Sequence, residues 1–372
     1  MSLGIVSSRP EIKLLLNAVG HHAQAAGASR CSIPDGPIDW DDLLKTAQAH
    51  GVTELLVSPL TSQSARLPGW VAQRLSQCAF EAVGQNLKRT SQLVAVLQLL
   101  SDNGIRALTF KGPVFALHMH GSLGRRVSND VDVLIDRPNA ARARAVLRAD
   151  GYSLAPRRRH RAGSQLYGLY PPAGRTDVLC SGRPGETDVD LQVGLAEWPH
   201  GIRISTSALF DRAVTVDVAG QPLLTLCPND VMLSMAIHGI QHGWSFLRAA
   251  SDIDAVAAHV TDWDEVIAQA RSARMSRVLW VALLMADGLF DSSIPDRIMA
   301  LASQDERAVA VARGAAQRLF ANPWHATVEW GARDWGPSFQ EGPFRLIGYH
   351  TRKLTHEWIL KWPWDEWLNR RG

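Results

Sequence analysis

Cysteine is scarce and scattered. Cys31, Cys78, Cys180 and Cys227 stand far apart in 372 residues, and no two form a CxxC pair. That spacing excludes a local zinc ribbon and a dense disulfide framework, and it fits a reducing compartment, so a cytoplasmic location is expected. Long hydrophobic runs are also missing. The longest, near residues 278–286, is about half of what a bilayer span needs, so no membrane span is expected. The opening MSLGIVSSRPEIK has no basic stretch followed by an apolar one, so no secretory signal is expected there. Neither sign of charge is in excess. A net charge of +3 is too balanced to argue for nucleic-acid binding from bulk electrostatics. Lysine is rare: of 39 basic residues 33 are Arg and 6 are Lys, which marks each Lys for attention.

Hydrophobic residues make up 46% and charged residues 20%, ordinary values for a globular protein and too apolar for a disordered one. The length exceeds what one hydrophobic core serves, so two or more structural units are expected. Residues 1–104 carry apolar positions at three-to-four spacing and read as helical, with Asn103-Gly104 as a stop. The pattern then changes. Strand-like RALTF (106–110) precedes a short helix with Pro113 in its first turn, and VDVLID (131–136) precedes another beginning at Pro138. Further strand-like pieces, QLYGLY, TDVDLQVGL, AVTVDV and QPLLTL, run to residue 226. Helical text resumes over 227–322. Seven of the 13 Trp fall in the last segment, 323–372, which is expected to dock on the protein or a partner. The fold class expected is α+β: a small mixed β-sheet core at 105–226, a helical N-terminal region and a helical C-terminal domain.

Aspartates carry the chemistry. Five Asp-x-Asp pairs occur, at 39/41, 130/132, 188/190, 252/254 and 262/264. Those at 39/41 and 262/264 flank Trp at helix starts, where Asp caps. The 252/254 pair falls within a helix, solvated or paired with Arg248. Only 130/132 and 188/190 lie on strand-like text with apolar residues at the alternate positions, which puts both carboxylates of each pair on one face. Two such strands could together hold hard divalent cations through oxygen and serve phosphoryl transfer.

The segment FKGPVFALHMHGSLGRRVSNDVDVLI, followed by a helix and Gly151-Tyr152, resembles the uncharacterised nucleotidyltransferase family of the polymerase-β-type superfamily. TDVDLQVGL is similar to the family's third-carboxylate strand, and CPNDVMLSMAIHGIQHGWSFLRAASDIDAVAAHVTDWDEVIAQA to its helical region. The resemblance implies Asp130, Asp132 and Asp190 as catalytic metal ligands for Mg2+, with Mn2+ as the other candidate. It implies an NTP such as ATP as donor, and an acceptor hydroxyl on a small molecule, peptide or protein. Lys111 and Gly112 occupy the phosphate-binding strand-to-helix turn, and Arg126 the family's arginine position. Ser122 is a lesser nucleotide-binding candidate, because Gly121 ends a short helix. His238 and His242, at i and i+4, and Arg248 belong to the half that would close over substrate. The two His have zinc-ligand spacing but no Glu of an HExxH motif between them. Gln192 stands where the family commonly has His. Two other readings follow from the residues: a non-catalytic nucleotide- or partner-binding protein retaining the fold, and an RNA-modifying enzyme, for which the Arg157–Arg161 run is the only local support.

Overall fold

The computed structural model describes residues 9–20, 31–154, 176–196 and 201–320. The Arg157–Arg161 run, the expected strand at 165–170 and the Trp-rich segment 323–372 lie outside the described residues. Among the described residues, no helix is long and apolar enough to cross a membrane.

The chain begins with helices α1 (Pro10–Val19), α2 (Trp40–Ala49), α3 (Thr53–Thr61) and α4 (Gly69–Asp102). The sheet-bearing middle follows as β1 (Ala107–Leu108), α5 (Gly112–His120), β2 (Val131–Ile135), α6 (Ala140–Ala149), β3 (Ser153–Leu154), β4 (Thr176–Cys180) and β5 (Val189–Gln192). After α7 (Thr206–Asp211) come β6 (Val214–Val218) and β7 (Gln221–Thr225), then α8 (Pro228–Gln241), α9 (Leu247–Ala257), α10 (Trp263–Ser272), α11 (Ser276–Phe290), α12 (Asp296–Ser303) and α13 (Glu306–Leu319). The fold is α+β. Asp39 and Asp262 cap α2 and α10, each accepting an N–H three residues on at 2.9 Å, which accounts for two of the five Asp-x-Asp pairs. Strand β4 was not singled out from the sequence, although at five residues it is as long as β2.

Two compact units divide the described residues, and both are discontinuous in sequence. The first takes its residues from the spans Met1–Leu87, Phe115–Val127 and Cys227–Phe339, the second from Lys88–Val114 and Ser128–Leu226. In the first, α11 is mostly apolar, with residues 281–286 buried without a break, so it serves as the core helix; α1, α8, α9, α12 and α13 pack against it.

His50 closes α2 in this first unit and is 1% exposed. Its Nδ1 accepts the Leu247 N–H at 3.3 Å, and its ring meets Phe320 edge-on at 5.6 Å. Burial lowers the His50 imidazole from 6.5 to about 4. The unfolded chain therefore takes up this proton first as pH falls. Stability from the neutral ring is complete above about pH 6.5 and is lost between 6.5 and 4, to a limit of about 3 kcal/mol. Melting temperature should drop across that window. His50→Gln, which keeps an acceptor but cannot titrate, should flatten the slope; an unchanged slope would show that other groups control it.

The second unit is built on a five-stranded sheet of order β1-β2-β5-β4-β3. Only β2 and β5 are parallel; the other neighbours are antiparallel. The β6–β7 hairpin adds a two-stranded sheet, tied to the first strand by the Thr109 N–H donating to Leu224 O at 3.0 Å.

Candidate metal centre

The parallel pair sets the site. Its register places Val131 beside Val189, Asp132 beside Asp190 and Leu134 beside Gln192. Registered neighbours turn their side chains to the same face, so Asp132 and Asp190 are adjacent. Asp130, two residues before Asp132, shares that face. One oxygen from each of the three carboxylates lies within 4.8 Å of the other two. Asp188 lies outside this group: its side chain is exposed, and its carbonyl accepts the Val131 N–H at 2.9 Å.

Simple alternation does not describe β2. All five of its residues are buried, because β1 and β5 flank it and both of its faces are covered. Asp132 is thus only 3% exposed, whereas Asp130 and Asp190 are half-buried. A buried carboxylate needs donors. Lys111 Nζ donates to Asp132 Oδ1 at 3.1 Å, and Gln192 Nε2 donates to the same oxygen at 2.8 Å. Asp130 is held by Ser128, whose Oγ donates to the Asp130 carbonyl at 2.8 Å and lies 3.3 Å from Oδ1. From α4, Arg89 also senses this cluster: burial lowers its guanidinium pKa, and the Asp130 charge pulls it back up.

Ser128 and Arg89 were not singled out from the sequence. Beside Arg89, the inward stripe of α4 carries buried Thr90 and Gln92 among its apolar residues, a burial that the sequence alone does not show. Polar groups on a helix's buried face mark a partner other than plain core.

The donor set fits a hard divalent cation. Three carboxylates offer oxygen ligands of the type Mg2+ and Mn2+ prefer, and anions this close repel unless a cation offsets them.

Beside them, Gly112 opens α5 with φ +61°, a left-handed conformation that other L-residues adopt only with strain. A Cβ there would meet Ser128 Oγ at 3.5 Å, an ordinary contact, so backbone conformation rather than crowding calls for glycine. The opening amides of α5 thus belong to the same unit as the three carboxylates, with Ser128 next to both.

The other residues singled out belong to the first unit. Gly121 ends α5 at φ +72°, and Ser122 Oγ accepts the Gly124 N–H at 3.2 Å. Arg126, 7% exposed, donates from Nε to both oxygens of Asp252 at 2.9 and 3.1 Å and stacks over Phe115. His120 Nε2 lies 3.4 Å from Asp252 Oδ1. Asp252 is therefore neither solvated nor paired with Arg248 as expected; Arg126 and His120 take it, inside the core. Arg248 instead donates to the Gly51 and Val127 carbonyls at 2.6 and 3.1 Å. His238 and His242 set their rings edge-to-face, 4.2 Å between centroids.

A family model described as uncharacterised nucleotidyltransferase matches residues 36–291, a span that holds every residue discussed in this subsection. A crystal structure of an antigenic nucleotidyltransferase-like protein from Paracoccidioides brasiliensis is similar at 17% identity, with a TM-score of 0.36, over 60% of this chain and 92% of that one. No curated protein matches.

Proposed function

Because the chain belongs to the uncharacterised nucleotidyltransferase family, we propose that it moves an NMP from an NTP to an acceptor hydroxyl and releases pyrophosphate. The observation that carries this reading is the convergence of Asp130, Asp132 and Asp190 within 4.8 Å on neighbouring strands. These three residues would hold Mg2+ or Mn2+. A divalent cation bound there supplies positive charge opposite the phosphates.

The chain's own groups do the rest. Asp190, half-buried and across from Asp132, is positioned to accept the proton of the acceptor hydroxyl. The freed oxygen attacks the α-phosphorus in line, the bond to the bridging oxygen breaks, and pyrophosphate carries away the electron pair. The α5 N–H groups of Gly112 and Val114, on either side of Pro113, which has none, receive the phosphates at the positive end of the helix, and Lys111 adds a point charge. No covalent nucleophile is needed, since positioning and charge neutralisation supply the catalysis.

The test is label transfer. The protein is incubated with each labelled NTP and Mg2+, with and without cell extract. Transfer to any acceptor supports the reading; tight NTP binding without transfer favours a non-catalytic nucleotide-binding protein.

Gly112→Val tests the phosphate cradle. A β-branched residue cannot hold φ +61° without strain of roughly 1–2 kcal/mol or more, so the turn must reorient. NTP affinity should fall about tenfold in an equilibrium titration, with Ser122→Ala close to wild type. The reverse ranking would move the cradle to Gly121-Ser122.

A further inference from the structure

Two donors to Asp132 meet on one oxygen. Lys111 Nζ and Gln192 Nε2 both reach Oδ1, at 3.1 and 2.8 Å. Gln192 follows Asp190 by two positions on β5, so its side chain leaves the sheet on the carboxylate face. The register places it diagonal to Asp132. It is 7% exposed.

A carboxylate turns about a broad, roughly two-fold torsion, so an anchor on one oxygen decides where the other points. Lysine alone is a loose anchor, a point charge on a flexible four-carbon stem. The glutamine amide differs in two ways. It is buried and tethered to the adjacent strand, and it is neutral, so it adds no positive charge that would oppose a cation.

We infer that Gln192 is a positioning residue of this centre: its amide fixes the orientation in which Asp132 presents its carboxylate to a divalent cation. The inference rests on the reading of Asp130, Asp132 and Asp190 as cation ligands. At the position where the resemblance leads one to expect histidine, this chain supplies a glutamine N–H to the central carboxylate.

Mn2+ titration of the full chain, followed by the electron paramagnetic resonance of the free ion, separates the two ideas. Wild type should bind Mn2+, and Asp132→Asn should lose that binding. Gln192→Met, similar in length and without a donor, should weaken Mn2+ affinity by roughly 10- to 100-fold. Its metal-free melting temperature should fall only modestly, because Lys111 still donates to Asp132, so the loss of Mn2+ affinity exceeds what a merely structural role would give. Gln192→His, which restores an N–H, should recover most of the loss. A Met variant that binds Mn2+ as tightly as wild type overturns the role of Gln192 and leaves the centre standing. Wild type that binds no Mn2+, or binding unchanged in Asp132→Asn, overturns the cation reading and the inference with it. Should Gln192→Met fail to fold, Gln192→Asn withdraws the amide by one methylene and carries the same expected loss.

Discussion

An Asp132→Asn chain should fold normally and transfer no measurable nucleotide. The substitution keeps the shape of the side chain and leaves an oxygen that can still accept from Lys111 and Gln192. It removes one negative charge from three carboxylates lying within 4.8 Å of one another. Relieving that repulsion should hold or raise the metal-free melting temperature. Catalysis is another matter. Charge stabilisation by a bound metal contributes several kcal/mol to such a reaction, and losing it slows turnover by roughly a thousandfold or more. Asp188→Asn is the matched control, since Asp188 is exposed and outside the group; it should keep full activity. Equal activity in Asp132→Asn would sink the assignment. A large drop in melting temperature would instead make Asp132 a structural partner of Lys111.

The opposite signature is expected at Asp252, where the effect falls on stability. This residue is 2% exposed, and its carboxylate faces Arg126 and His120. Burial alone would raise its pKa; Arg126 first, then His120, outweigh that and hold it below the ordinary carboxylate value. The His120 pKa is lowered as well, first by its own burial, so the cluster favours an ionised Asp252 beside a neutral imidazole and a charged Arg126. Asp252→Asn leaves the Arg126 guanidinium buried without that counter-charge. Breaking a buried pair from one side costs about 3–5 kcal/mol. Urea unfolding should show that loss as a lower midpoint. A change within about 1 kcal/mol, the range of an exposed pair, would mean that water or another group takes over the arginine.

These two aspartates also mark how far the sequence could be read. Asp130 and Asp132 were legible because a strand's period of two leaves a pattern in the text itself, and Asp190 because the same pattern recurs beside a family resemblance. Asp39 and Asp262 were legible as caps for a similarly local reason, an Asp directly before a helical run. Asp252 was misread. Its partner Arg126 stands 126 positions away, and nothing local distinguishes a charged residue bound for the core from one facing water. The burial of β2 on both faces was hidden for the same kind of reason: Asp132 interrupts the apolar run that would announce a covered strand. Gln192 could be seen only as a departure from His, since its hydrogen bond exists only once β5 lies beside β2. The units themselves are assembled from separated stretches, which a reading along the chain cannot join.

The Asp-Val-Asp repeat leaves one more question, that of frame. Both β2 and β5 carry it, at 130–132 and 188–190. If β5 slid two residues along β2, Asp188 would stand opposite Asp132 and every apolar side chain would keep its face. Hydrophobic patterning is therefore degenerate between two registers, although it rules out a slip of one. The choice is made from outside the sheet. Gln92 on α4 donates to the Thr187 carbonyl at 2.7 Å and accepts the Thr187 N–H at 3.0 Å, as a neighbouring strand would at that one residue. Thr187 Oγ1 in turn donates to the Asn129 carbonyl. The Gln92 amide and the Thr187 hydroxyl thus hold the strand in the frame where Asp190, and not its twin two residues earlier, faces Asp132.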